Sequence, residues 1–410
     1  MPRRAFHGHV DAAVLDADER QSLVTVRSLG QGGLRVGAFD HVVRSPASTS
    51  RWAATSAPLP DGGDPARYVD ELLWMVARHR PRVLLTARDS TIEALRARRP
   101  EIERETTLAL GAEPALEIAV SKERTLALAE RLGIPVPVSV PLPDSGEAVE
   151  AGRRTGFPAV IKPVQSWVES SNGGRRLGSL VVADADEARR AAQAAVQAGG
   201  HALLQQWLHG SREAISLLVV DGRVRARFAQ VARRMLPPLG GSSIVRESIP
   251  LPADLTEAAE ALVLAAGLDG YSEVEFRRGE DGTGYLMEIN PRLSASVEIA
   301  VRSGVDFPRL LYAWASGSPL PAVPAYRVGV RMRWLGGDLK WLRQTLAGRG
   351  RPEVLPPREA LRVFASDCFV PYAYDYVMWR DPRPAVAAAT RLVAKAPGAL
   401  QRARRARATP

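Results

Sequence analysis

The chain opens with apolar runs of two kinds in alternation. Ala12–Leu15 and Val83–Leu85 are short unbroken apolar runs, and Leu34–Phe39 is broken only by Arg35, the pattern of strands buried on both faces. Between them, Arg20–Leu29, Ala66–His79 and Ser90–Arg98 carry apolar residues at helical spacing. Gly30–Gly33 closes the first of these, and Pro65 and Pro81 bracket the second. Strand–helix alternation predicts a parallel α/β unit over residues 1–115. No Gly-x-Gly-x-x-Gly follows its first strand, so a dinucleotide fingerprint is absent.

The pattern then changes. Helices are expected over Pro114–Val120 and Lys122–Leu132, the second capped by Ser121 and ended by Gly133. Strands follow at Gly156–Pro163, Leu180–Val182 and His201–Leu208, with an Ala-rich helix over Asp184–Ala198. The polar stretch Ser170–Arg176 is read as a flexible loop whose backbone N–H groups could cover phosphates, although a Gly-Gly turn alone says little. Ile215–Val220 and Arg223–Ala232 flank the tight Asp221-Gly222 turn. Arg233–Arg246, rich in Gly, Pro and Arg, is read as a loop. After the helix Asp254–Ala266, two β-rich runs, Tyr271–Arg278 and Tyr285–Arg292, flank Gly279–Gly284 and predict a hairpin. Helices at Val297–Arg302 and Phe307–Ala315 precede a Pro/Ser/Gly connector, Ser316–Pro324. Beyond it are expected a strand over Arg327–Leu335, a helix over Asp338–Leu346 and a last helix from Pro384. The expected division is 1–115, 116–317 (lobes of about 116–208 and 209–317) and 318–410.

The hairpin carries the chemistry. Side chains alternate along a strand, so Glu273 and Glu275 share one face and Glu288 and Asn290 share another. If the two faces coincide, Glu275, Glu288 and Asn290 form an all-oxygen cluster beside Arg292. Hard oxygen donors suit Mg²⁺, which is held by one or two carboxylates plus substrate phosphates. A solvated surface hairpin is the bland alternative for any lone Glu-x-Asn.

Composition narrows the rest. The 410 residues are 46% hydrophobic and 24% charged, ordinary for a folded protein. No apolar run approaches the roughly 20 residues of a membrane span, and no signal peptide is recognisable. Cys368 is the only cysteine, so an intramolecular disulfide is excluded and a cytoplasmic location is the default expectation. The net charge of +10 admits nucleic acid or anionic lipid as partners. Yet of 55 basic residues only Lys122, Lys162, Lys340 and Lys395 are lysines. Such a bias points to base composition rather than binding, so neither nucleic acid nor membrane is expected. The basic tail 401–410 reads as a frayed terminus. Asp375, Asp381 and Arg383 read as capping or salt-bridge residues.

Lys122, Lys162, Gln205–Leu208, Glu213, Glu275 and Glu288-Ile-Asn-Pro-Arg292 occur in an order that resembles the ATP-grasp superfamily. The similarity is nearest to its carboxylate–amine ligases, related to carbamoyl-phosphate-synthase-like proteins, and covers roughly residues 10–317. The resemblance implies an α/β fold with three parts. These are an N-terminal parallel α/β (pre-ATP-grasp) domain, a two-lobed α+β nucleotide-binding region and a small C-terminal extension. It implies ATP with Mg²⁺, Mn²⁺ being an admissible substitute. Lys122 and Lys162 then contact ATP phosphates, Gln206, Trp207 and Leu208 hold adenine, and Glu213 meets the ribose. Glu275, Glu288 and Asn290 hold Mg²⁺. Arg292, with Lys162, assists the transferred phosphate or a substrate carboxylate. Arg234 and Arg246, with Arg233, fall in the family's variable substrate loop and are catalytic candidates. The family often has a glutamate where Gln206 stands, but a glutamine oxygen still accepts from an adenine amine. The implied reaction joins a small carboxylate to an amine through an acyl phosphate, with ADP and phosphate released. A thiol or hydroxyl acceptor, or a regulator without catalysis, is the alternative. Homodimerisation stays open.

Overall fold

The computed structural model describes residues 8–61, 64–142, 145–163, 167–168, 175–176, 179–197, 201–348 and 354–392. The loop Ser170–Gly174, Lys395 and the tail 401–410 lie outside them.

Five parallel strands form the first sheet: β1 (Ala12–Val14), β2 (Val36–Phe39), β3 (Ala53–Ala57), β4 (Val83–Leu85) and β5 (Thr107–Leu108). Their order is β3-β2-β1-β4-β5. β1, β2 and β4 are buried along their whole length, as expected where helices cover both faces. Ala53-Ala-Thr-Ser-Ala57 holds only small and hydroxyl side chains and gives no strong apolar run, so β3 escaped the sequence pattern; as an edge strand it is buried only in part. Phe39, Leu72 and Leu84 pack on one side, while Val26 and Leu29 on the other meet Phe307 and Leu311 of the helix Phe307–Ala315. That second contact ties the first sheet to the central one.

A small antiparallel sheet of order β10-β7-β11-β6 comprises β6 (Ser139–Leu142), β7 (Ala159–Pro163), β10 (Leu180–Val182) and β11 (Ala202–Gln206). A two-stranded ribbon, β8 (Trp167–Val168) with β9 (Arg175–Arg176), lies between β7 and β10 in the chain. Ala159 and Ile161 face the small core beneath the helices Ala148–Thr155 and Ala185–Gln197. Alternation therefore sends Lys162 to the opposite face.

Seven strands form the central sheet, ordered β16-β15-β12-β13-β14-β17-β18. They are β12 (Ser211–Val220), β13 (Arg223–Leu236), β14 (Ser242–Ser248), β15 (Gly270–Arg278), β16 (Gly284–Asn290), β17 (Arg331–Arg333) and β18 (Ala373–Tyr374). One face is apolar: Ile215, Leu217, Ala229, Val274, Phe276 and Ile289 pack on Leu255, Ala259 and Leu262 of the helix Ala253–Ala265. The other face carries the polar residues described below.

The expected loop over Arg233–Arg246 is not a loop. β13 runs on to Leu236 through irregularities near Arg234, turns at Pro237–Gly241, and returns as β14. Burial overrides the arginine-rich sequence because each guanidinium meets a carboxylate. Arg234 bonds Asp338 (2.6 Å) and Asp367, and Arg246 bonds Asp375 (2.6 Å). The expected strand Arg327–Leu335 shortens to Arg331–Arg333. Residues 331–374 build no sheet of their own but extend the central one through β17 and β18. Asp375 also accepts from Arg20 of the first unit at 3.4 Å, and Asp381 from Arg27 at 3.0 Å. The segment after β17 thus clasps the first unit to the central sheet.

Candidate functional site

The hairpin register decides whether the acidic faces coincide. Glu275 stands opposite Glu288, and Glu273 opposite Asn290. Directly paired residues project to the same side of a sheet, so all four share one face. Asn290 Nδ2 donates to Glu275 Oε1 at 3.0 Å. The pair is joined from two directions by lysines. Lys122, in the first turn of the helix Lys122–Arg131, places Nζ 3.8 Å from Glu288. Lys162, on the inner face of β7, lies within the fields of Glu288, Glu275 and Lys122 and sits 3.8 Å from the Met287 sulfur.

These charges shift one another. Burial, opposed by Glu288, brings the Lys162 ammonium down from 10.5 to about 8. Burial raises Glu275 to about 7 against the attraction of Arg212, with Glu288 and Glu273 adding repulsion. Burial also opposes ionisation of Glu288, but Lys122 and Lys162 outweigh it and its net direction is down. Opposed, closely spaced charges in a dry setting mark functional sites more often than structural ones.

Arg292 is held by Asp89, the first residue of the helix Asp89–Ala97, through Nε–Oδ1 (2.5 Å) and Nη2–Oδ2 (3.1 Å). Arg212, on β12, forks onto Glu275 through Nε–Oε2 (2.7 Å) and a second, shorter contact. Arg277 donates to the Leu208 carbonyl at 3.0 Å and lies over the Trp207 ring. Sequence reading named Arg292 but missed Asp89, Arg212 and Arg277. Arg277 had a signal, being two residues from Glu275 on the same strand. Asp89 had none, since 203 positions separate it from its partner.

The structure brings together Lys122, Lys162, Glu275, Glu288, Asn290 and Arg292. Gln206 ends β11, its N–H donating to the Val138 carbonyl at 2.8 Å, and Trp207 and Leu208 follow directly. Glu213 stands opposite Phe276, so it leaves the sheet on the apolar side, where Arg278 donates to it at 3.1 Å. Arg246 shares the polar face, three strands from Glu275, and is wholly buried on Asp375. Arg234, 8% exposed, is likewise committed to Asp338 and Asp367. Arg233 pairs with Glu247.

The donor set suits a hard cation. Glu275, Glu288 and Asn290 carry carboxylate and amide oxygens, with Arg212 forked onto Glu275 and the Asn290 Nδ2 turned to it, and among the described residues no three His, Cys, Asp or Glu side chains form a ready metal cage. Two carboxylates and an amide need further oxygens to complete a Mg²⁺ shell, which is what nucleotide phosphates supply.

The family described as "ATP-grasp in the biosynthetic pathway with Ter operon" matches residues 200–337. Residues 200–337 are therefore similar to ATP-grasp proteins. Over 213 residues it is 27% identical to a D-alanine–D-alanine ligase of Pseudomonas putida (strain GB-1), covering 48% of this chain and 64% of that ligase. Over 191 residues it is 30% identical to the carbamoyl phosphate synthase large chain of Deinococcus radiodurans, covering 44% of this chain and 18% of that one. Its fold matches the biotin carboxylase domain dimer of the Hydrogenobacter thermophilus 2-oxoglutarate carboxylase, solved with MgADP and bicarbonate. The TM-score is 0.61 at 16% identity, covering 79% of this chain and 73% of that domain. No helix among the described residues is long and apolar enough to cross a membrane.

Proposed function

We propose that this protein is an ATP-grasp ligase dependent on ATP and Mg²⁺. It would activate a small carboxylate as an acyl phosphate and join it to an amine. The observation that carries the reading is the convergence of Lys122 and Lys162 on Glu288, beside Glu275 and Asn290. Two cations facing two carboxylates, with an arginine at the edge, fit a polyphosphate with its metal counter-ion better than an internal salt bridge. The D-alanine–D-alanine ligase and carbamoyl phosphate synthase relatives support the same class, as does the MgADP-bound neighbour.

Phosphoryl transfer needs positioning and charge stabilisation rather than covalent help. Glu275, Glu288 and Asn290 would hold Mg²⁺, which would neutralise developing phosphate charge. Lys122 and Lys162 draw the phosphates into line. Arg292, kept in place by Asp89, offers a guanidinium to the γ-phosphate or the substrate carboxylate. The carboxylate oxygen attacks the γ-phosphorus, the bond to the β-phosphate oxygen breaks, and ADP leaves. The amine nitrogen then attacks the acyl carbon, the C–O bond to phosphate breaks, and the amine gives up its proton as phosphate departs. Gln206, Trp207 and Leu208 would hold the adenine. A ribose role for Glu213 would require rearrangement at the start of β12, because its carboxylate is turned to Arg278.

A hydroxylamine trap tests the reading. With a competent carboxylate, ATP and Mg²⁺, a hydroxamate forms and ADP accumulates in equal amount. AMP as the nucleotide product would mean adenylation and would overturn the mechanism.

A further inference from the structure

The three residues assigned to the metal are not equally open. Glu275, 8% exposed, has donors on both of its oxygens. Arg212 Nε donates to Oε2 at 2.7 Å and Arg212 Nη2 to Oε1, which also accepts from Asn290 Nδ2 at 3.0 Å. The Asn290 amide thus turns its nitrogen to Glu275 and its oxygen toward Arg292, 3.5 Å away. Glu288, by contrast, meets the Lys122 ammonium at the longer distance of 3.8 Å, and its side chain is 34% exposed.

Strand register makes the fork on Glu275 possible. Arg212 stands opposite Arg277, and Ala214 opposite Glu275, so Arg212 and Glu275 are diagonal neighbours on the polar face. The small side chain of Ala214 leaves the guanidinium room to lie across. Arg212 Nη1 is held as well, donating to the Gly241 carbonyl at 3.2 Å in the turn between β13 and β14. The charges around the fork are balanced. Lys122, Lys162, Arg212, Arg277 and Arg292 face Glu273, Glu275, Glu288 and Asp89, five formal positive charges to four negative. A divalent cation arriving alone meets no net attraction there. It also finds a fixed guanidinium on the carboxylate that it needs, and Mg²⁺ demands close, well-ordered oxygen contacts.

We propose that Arg212 stands in for the metal on Glu275 and yields that carboxylate only when a polyphosphate arrives with the metal. The proposal rests on the nucleotide reading above and makes Arg212 a positioning residue that sets the order of loading. The phosphates supply the negative charge that the balanced residues lack, and they engage Lys122 and Lys162, leaving Glu288 and then Glu275 to the cation.

Mn²⁺ titration of the full chain, followed by the paramagnetic resonance of the free ion with and without ADP, tests this in the parent, Arg212→Gln and Glu275→Gln. The parent binds Mn²⁺ about tenfold or more tighter with ADP than without, an ordinary coupling between sites. Arg212→Gln releases Glu275 and raises the affinity without ADP by about tenfold or more. Glu275→Gln leaves the affinity without ADP within about twofold of the parent and lowers the affinity with ADP by about tenfold or more. A residue that merely kept Glu275 in shape would, when removed, weaken Mn²⁺ in both conditions. Unchanged or weaker binding without ADP in Arg212→Gln overturns the proposal. So does a loss beyond about twofold without ADP in Glu275→Gln, an arm that stands even where the arginine variant does not fold. The two readings fail separately. A gain in Arg212→Gln with no effect of ADP on any of the three proteins defeats the nucleotide reading and leaves Arg212 as the stand-in on Glu275. ADP-coupled binding in the parent with no gain in Arg212→Gln defeats the proposal and leaves the nucleotide reading in place.

Discussion

Replacing Lys162 with methionine should stabilise the nucleotide-free protein while destroying its use for nucleotide. An ammonium whose pKa falls from 10.5 to about 8 is disfavoured in the folded state at neutral pH. At about 1.36 kcal/mol per pKa unit, the burden is about 3 kcal/mol, an upper figure because Lys162 is only half-buried by surface area. Methionine keeps the length and apolar stem of the side chain and removes the charge. The pH dependence has a definite sign. Between pH 8 and 10.5 the unfolded chain holds the proton that the folded chain has lost, so the parent gains stability as pH rises through that window. The burden is complete below pH 8 and gone above 10.5. The assay is urea unfolding of parent and Lys162→Met at pH 7 and pH 9.5, paired with ADP titration. The variant is expected to be more stable at pH 7, with the gap narrowing at pH 9.5. Loss of one charge-assisted phosphate contact should weaken ADP by about 10- to 100-fold. A variant that is less stable at pH 7, or a gap that does not change with pH, would show that Lys162 is no strained cation held for a ligand.

Two further outcomes follow from the geometry. Glu288→Gln should lower turnover by on the order of 100-fold or more and weaken Mn²⁺ binding measured by paramagnetic resonance, with an unchanged circular dichroism spectrum; full activity or unaltered Mn²⁺ affinity removes the metal assignment. Asp375→Ala should cost about 3–5 kcal/mol in urea unfolding, because it strands Arg246 and Arg20 without their shared carboxylate, whereas Asp186→Ala, breaking an exposed pair with Arg189, should cost less than about 1 kcal/mol. Equal costs would mean that the clasp between the first unit and the central sheet carries no energetic weight.

What was legible in the sequence was local. Apolar runs and helical spacing marked the parallel strands β1, β2 and β4 and the helices between them, because a strand buried on both faces must be apolar throughout. The hairpin holding Glu275, Glu288 and Asn290 was legible because alternation ties residue spacing to a face. The placement of Lys122 and Lys162 rested on their rarity and on the family resemblance. What tertiary structure alone decided was pairing across distance. Strand register placed Glu275 opposite Glu288 and turned Glu213 to the far side. Arg234 and Arg246 read as members of a variable substrate loop because Gly, Pro and Arg crowd 233–246. Their carboxylate partners, Asp338, Asp367 and Asp375, lie 104, 133 and 129 positions away, and only folding makes such burial affordable. The grip of Asp89 on Arg292 has the same origin. A contact between residues 203 positions apart leaves no trace in either local segment, since neither chain environment changes until the sheets have docked.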